Sequence, residues 1–168
     1  MAISARYFKD MQPAIAGMIS DTSAYNIDAA CALSGNVDVL VGVAVQLDSV
    51  EAYQGHKVIK PMAASGVAFG VSVRSHYQLQ NNKNDNQAYY EAGGAINVMT
   101  AGRIWVLSKD TTAPAFGAAV KFDVDGKQKA DGAIVTTWTY AGGFVKLKGK
   151  ASDGSQDLQL VEIQLIQK

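Results

Sequence analysis

Apolar and polar residues alternate with a period of two through most of this chain. From Val37 to Leu47, the residues Val37, Val39, Val41, Val43, Val45 and Leu47 fall on one side of an extended ribbon. Successive strand side chains point to opposite faces, so this pattern describes a strand with one apolar face. The same alternation returns at Val67–Val73 and through the C-terminal half. It predicts strands over 37–47, 56–62, 66–74, 95–99, 103–107, 118–124, 133–140, 143–148 and 157–166. Ala101-Gly102, Asp125-Gly126, Asp131-Gly132, Gly142-Gly143 and Asp153-Gly154 read as the turns between them, because glycine tolerates the positive φ of tight reversals. No long helical period intervenes, which argues against βαβ units. The pattern predicts an all-β fold, a single-domain antiparallel β-barrel or jelly-roll-like sandwich.

Residues 1–36 read differently. Pro13, Gly17 and Gly35 interrupt them, and their apolar side chains come in clusters without a sustained period. The expected organisation is an extended N-terminal arm over 1–36 and a β-domain over 37–168. An arm that cannot bury Tyr7, Phe8, Met11, Ile15, Met18 and Ile19 within itself must lay them on something else. Gln78–Gln87 is polar and asparagine-rich, and reads as an exposed loop.

At 168 residues the chain has the size of one domain and enough length for a substantial core. Fifteen basic residues balance fifteen acidic ones, so no strong field favours nucleic acid or an anionic membrane. Low net charge also leaves little repulsion between copies. The single cysteine forms no internal disulfide. The N-terminus lacks a signal-peptide pattern, and the apolar run Val39–Val45 falls well short of the about 20 residues that span a bilayer. Synthesis and folding in the cytoplasm is the expectation.

Candidate chemistry is sparse. Cys31 lies in Ala29-Ala30-Cys31-Ala32-Leu33, an apolar setting in which a thiol packs as a small hydrophobe. His56 and His76 are isolated, and no Cys/His cluster has metal-ligand spacing. Lys121–Gly126 resembles a calcium loop only in part. With Gly126 at the obligatory glycine, Lys121 takes the first ligand position and Gly132 the closing carboxylate. Gly143–Ala151 misses the phosphate-loop spacing by one residue, and no Ser or Thr follows Lys150. Lys146, Lys148 and Lys150 form the wet face of a strand. Glu162 is expected to face solvent while Val161, Ile163 and Leu165 face the core. No catalytic, metal-binding or cofactor-binding residue is assigned.

The order of several glycine-weighted segments resembles that of the capsid cement, or head decoration, proteins of tailed bacteriophages. Pro13-Ala14-Ile15-Ala16-Gly17-Met18-Ile19-Ser20-Asp21 is similar to their Pro-Ala-x-x-Gly-Met-x-x-Asp signature. Val41-Gly42-Val43, Phe69-Gly70-Val71-Ser72-Val73-Arg74, Tyr90–Val98, Gly102–Val106 and Ala118–Phe122 follow in the family's order, with Gly94 where Asp is common. The resemblance implies a β-barrel or jelly-roll-like virion protein without enzymatic activity. Its partners would be the major capsid protein, whose outer surface it bridges, and itself as a homodimer or homotrimer.

Tyr7, Phe8, Met11, Ile15, Met18 and Ile19 are then the candidate contacts of the arm. Tyr89 and Tyr90, beside the polar loop, are candidate interface anchors because tyrosine is frequent at contact hot spots. The competing reading is a carbohydrate- or receptor-binding β-sandwich of a phage tail or surface structure. Trp105 and Trp138 would supply its stacking surfaces, although both lie in strand-patterned segments.

Overall fold

The computed structural model describes residues 14–52, 55–75, 80–81, 87–148 and 157–166. Eleven strands account for its regular structure: β1 (Ile19–Leu33), β2 (Val39–Leu40), β3 (Ala44–Val50), β4 (Lys57–Pro61), β5 (Ala68–Ser72), β6 (Gln80–Asn81), β7 (Ala88–Tyr90), β8 (Ala95–Ser108), β9 (Ala119–Phe122), β10 (Ile134–Leu147) and β11 (Leu158–Leu165). Among the described residues there is no helix. The all-β expectation holds.

The strands close into a barrel. The large sheet runs β1-β4-β3-β5-β8-β11-β10-β9, and β1 also pairs with β8. That extra pairing joins β1, β4, β3, β5 and β8 into a ring. All its pairings are antiparallel except β1 with β4, where Cys31, Ala32 and Leu33 align parallel with Lys57, Val58 and Ile59. The long β8 continues past this ring and carries β11, β10 and β9. Gln128 then bridges both Phe122 of β9 and Ser108 of β8, so the second set of strands also returns to its start.

Each ring has its own core. Cys31, Leu33, Val41, Val43, Val45, Ile59, Ile96, Val98 and Leu160 belong to one buried cluster. Val71, Met99, Ile104, Val106, Val120, Phe122, Trp138, Val161, Ile163 and Leu165 belong to the other. Phe122 and Trp138 meet edge to face there, with ring centroids 5.7 Å apart. β3 lies between the two clusters, with Val43 and Val45 in the first and Ala44 in the second.

That position corrects the reading of 37–47 as one strand with a single apolar face. Val37 and Leu47 are exposed, and Val41–Val43 is a turn between β2 and β3. Two expected turns are also absent. Gly102 (φ 111) lies inside β8, and Gly142 (φ 107) lies inside β10. Gly142 falls in a bulge of β10 against β11, and Gly102 lies opposite a bulge of β1, so neither glycine reverses the chain. At Gly102 a Cβ would come within 2.7 Å of the Tyr25 side chain, so the glycine lets β1 cross closely. Gly126 (φ 77) does form the expected turn, and its N–H donates to Asp123 O at 3.0 Å.

The largest difference concerns the arm. Residues 14–36 are part of the barrel, with Ala14 fully buried and Ile19–Leu33 paired to β8. Gly17 donates to Trp105 O at 2.8 Å and accepts from Arg74 N at 2.8 Å. The described part of the segment expected to be an arm therefore completes this protein's own sheet. Residues 1–13 lie outside the described residues.

Candidate functional site

The expected contact residues separate into three groups. Tyr7, Phe8 and Met11 lie outside the described residues, as does His76. Ile15, Met18 and Ile19 are half-buried, with Met18 against the first core and Ile19 against the second. Met18 and Ile19 therefore serve this protein's own packing. Tyr89 is half-buried on β7. Tyr90 is fully buried, and its hydroxyl donates to Val73 O at 2.6 Å. Burial pushes that phenol up to about 12. Tyr90 is a core residue and no surface anchor, because alternation along β7 turns it inward.

Cys31 is 3% exposed, and burial, with Asp28 nearby, pushes its thiol up to about 11. It stays a protonated thiol at neutral pH. His56 is exposed, with Nδ1 3.9 Å from Glu51. Among the described residues no group of three or more His, Cys, Asp or Glu is placed to hold a metal ion. In the turn that resembles a calcium loop, Lys109 Nζ lies 2.7 Å from Asp123 and 2.9 Å from Asp125. The hydrogen bond from Lys109 holds the Asp123 carboxyl below its ordinary value, and the same bond raises Lys109. These carboxylates are spent on an ammonium group. Gln87, expected within an exposed loop, is buried, and Gln80–Asn81 pairs with β7.

What the fold leaves open is apolar surface. A groove of about 250 Å³ is lined by Asn26, Asp28, Lys57, Ala68, Phe69, Thr100, Trp138 and Ile166. A second recess of about 160 Å³ shares Ala68 and Trp138 with it and adds Val67, Val135, Thr136 and Thr137. Val67 and Val135 on this face are 74% and 69% exposed, and Ile166 is 54% exposed. Polar groups in the groove are mutually satisfied. Lys57 pairs with Asp28 and lies 5.7 Å from the Phe69 ring centroid, and Asn26 Nδ2 donates to Thr100 Oγ1 at 2.8 Å. Elsewhere, Phe116 is 78% exposed at the tip of a turn before β9. Sequence reasoning missed both features. The groove is assembled from five strands distant in sequence. Phe116 had a findable signal, as an aromatic in an Ala/Pro/Gly segment without strand alternation.

Closed sheets, a buried thiol and exposed apolar relief are what the described residues present. The chain belongs to the family described as structural cement protein (E217 gp24/Pam3 gp6), whose model matches residues 3–166. No curated protein matches the chain. Among solved structures, a chain in "The capsid of Myoviridae Phage XM1" is similar in fold, with a TM-score of 0.61 and 18% identity over 98% of each chain.

Proposed function

We propose that this protein is a structural component of a phage virion that binds the outer surface of the capsid and cements neighbouring major capsid proteins. The family match over residues 3–166 carries the reading. Physical features support it. A doubly closed sheet leaves few free edges and makes a stiff platform. Zero formal net charge allows close packing on a crowded lattice. The contacts with the shell come from Tyr7, Phe8 and Met11, with Tyr89 adding a half-exposed aromatic. Each large apolar side chain contributes roughly 1.5–3 kcal/mol before ordering costs, and repetition over the shell multiplies weak contacts through avidity.

In this reading the protein resides in the virion and associates with itself as well as with the capsid. It engages neither nucleic acid nor membrane, and it catalyses no reaction. The sugar-binding alternative loses its stacking surfaces, since Trp105 and Trp138 are 8% and 5% exposed.

The test uses shells assembled without this protein. Added protein is expected to co-sediment with them and raise the temperature at which they rupture. The double substitution Tyr7→Ser/Phe8→Ser is expected to weaken binding at least about tenfold, since tenfold corresponds to only 1.4 kcal/mol. Undiminished binding would remove the N-terminal contacts from the account.

A further inference from the structure

We propose that the Phe116 turn of one copy seats in the Ala68–Trp138 groove of a second copy, so that the protein associates head to tail. This deepens the cement reading by naming the contact between copies, and it rests on that reading only for the partner's identity.

Three observations carry it. First, the projecting side chain is pre-organised. The Ala118 N–H donates to Ala115 O at 3.2 Å and the Gly117 N–H to Tyr140 O at 2.9 Å, with Gly117 at φ 76. Pro114 restricts the approach to the turn, so little freedom is lost on docking. Second, charge matches. Thr111 through Ala119 carries no charged residue, and the groove's Asp28 and Lys57 already neutralise each other. Covering them with this turn leaves no charge unpaired. Residues 1–13 would instead bring Arg6, Lys9 and Asp10 to the groove. Third, shape matches. A cavity of roughly 150 Å³ accepts benzene, and the groove offers about 250 Å³. Two grooves facing each other across a two-fold axis would leave both hollow, whereas a projecting ring fills one. A projection and a recess on different parts of one chain make a heterologous contact.

Light scattering coupled to size exclusion, without capsids, tests this. The wild-type protein is expected to elute above monomer mass at high micromolar concentration. Phe116→Ser and, in the groove itself, Ile166→Asp are each expected to be monomeric. Both positions are exposed, so unchanged circular dichroism and melting will show that the fold is intact. Mixed in equal amounts, the two variants are expected to form a heterodimer and stop there, because only one intact projection meets one intact groove. A monomeric wild type, as expected if a capsid protein fills the groove, would overturn the proposal. So would single variants that keep their oligomeric mass, or a mixture that stays monomeric. Shell binding is read separately. Oligomer loss with retained shell binding leaves the cement reading standing, and the converse result counts only against that reading.

Discussion

Replacing Gly17 by alanine is expected to destabilise the protein by about 4 kcal/mol and lower its melting temperature by about 10 °C. Gly17 has φ 72, a region that costs an L-residue roughly 1–2 kcal/mol. Space is the larger problem. A Cβ there would lie 2.3 Å from Val41 Cγ1, 2.8 Å from Arg74 N and 3.0 Å from Ser72 O. Two of these are backbone atoms held by hydrogen bonds, Arg74 N to Gly17 O and Ser72 O from Gly42 N, so relief requires movement of the barrel wall. Gly42, at φ 75, faces the same point, where a Cβ would come within 2.7 Å of Gly17 N. The two glycines let the segment after Pro13 pass against the turn that joins β2 to β3. Gly35 is the control. It has φ 79 but no atom within 4 Å of its would-be Cβ, so Gly35→Ala is expected to cost only about 1 kcal/mol. Urea unfolding of both variants measures the contrast. Equal losses would show that Gly17 matters for its backbone angle alone.

The second large effect is expected at Gln128, which is fully buried. Its backbone N–H donates to Leu107 O and its carbonyl accepts from Lys109 N, both at 2.8 Å. Its side chain accepts from Ser108 Oγ and donates to Asp110, at 2.7 Å, and to the Tyr140 hydroxyl. One residue thus closes the second ring of strands through both its main chain and its amide. Gln128→Leu keeps the volume but strands the Ser108 O–H, whose oxygen still accepts from Asp110 N, and takes the amide donor from the Tyr140 hydroxyl. Each orphaned buried group costs about 1–3 kcal/mol, so a loss of about 3 kcal/mol is expected. Adding Tyr140→Phe should cost less in the Gln128→Leu background than in the wild type, because one orphan is removed with its partner. Additive losses in this double-mutant cycle would mean that the amide and the phenol do not communicate.

Much of the barrel was legible because its strands alternate. β4, β5, β9 and β11 lie within a few residues of their expected bounds, since each turns a clear apolar set toward a core. β1 was illegible for a physical reason. Ile19–Leu33 is rich in Ser, Thr, Asn, Asp and Ala, and its pairing with β8 shifts register in four places. A strand that repeatedly changes register cannot display a strict period of two. Its neighbours, rather than its own pattern, specify it. Gly102 and Gly142 misled for a related reason, since a positive-φ glycine also serves a bulge, or a strand facing one, and only the tertiary partner distinguishes these from a turn.

The surface was harder to read than the core. Tyr90 looked like an anchor because it follows a polar segment, yet strand alternation turns it onto Val73 O. Gln128 drew no reading at all, since lysines flank it in Lys127-Gln128-Lys129. The two cases have one source: a single polar or aromatic residue does not reveal which of two closed rings will surround it. The setting of Cys31, by contrast, was legible: its apolar neighbours predicted a packed thiol, and the side chain is buried.

The central claim is that this closed β scaffold seats on a phage shell from outside and spans its subunits. Electron cryomicroscopy of shells incubated with the purified protein tests it most directly. The account predicts density of this fold on the outer surface, lying across boundaries between adjacent capsid subunits. Shells left bare at saturating protein, or density confined to the interior or the tail, would contradict it.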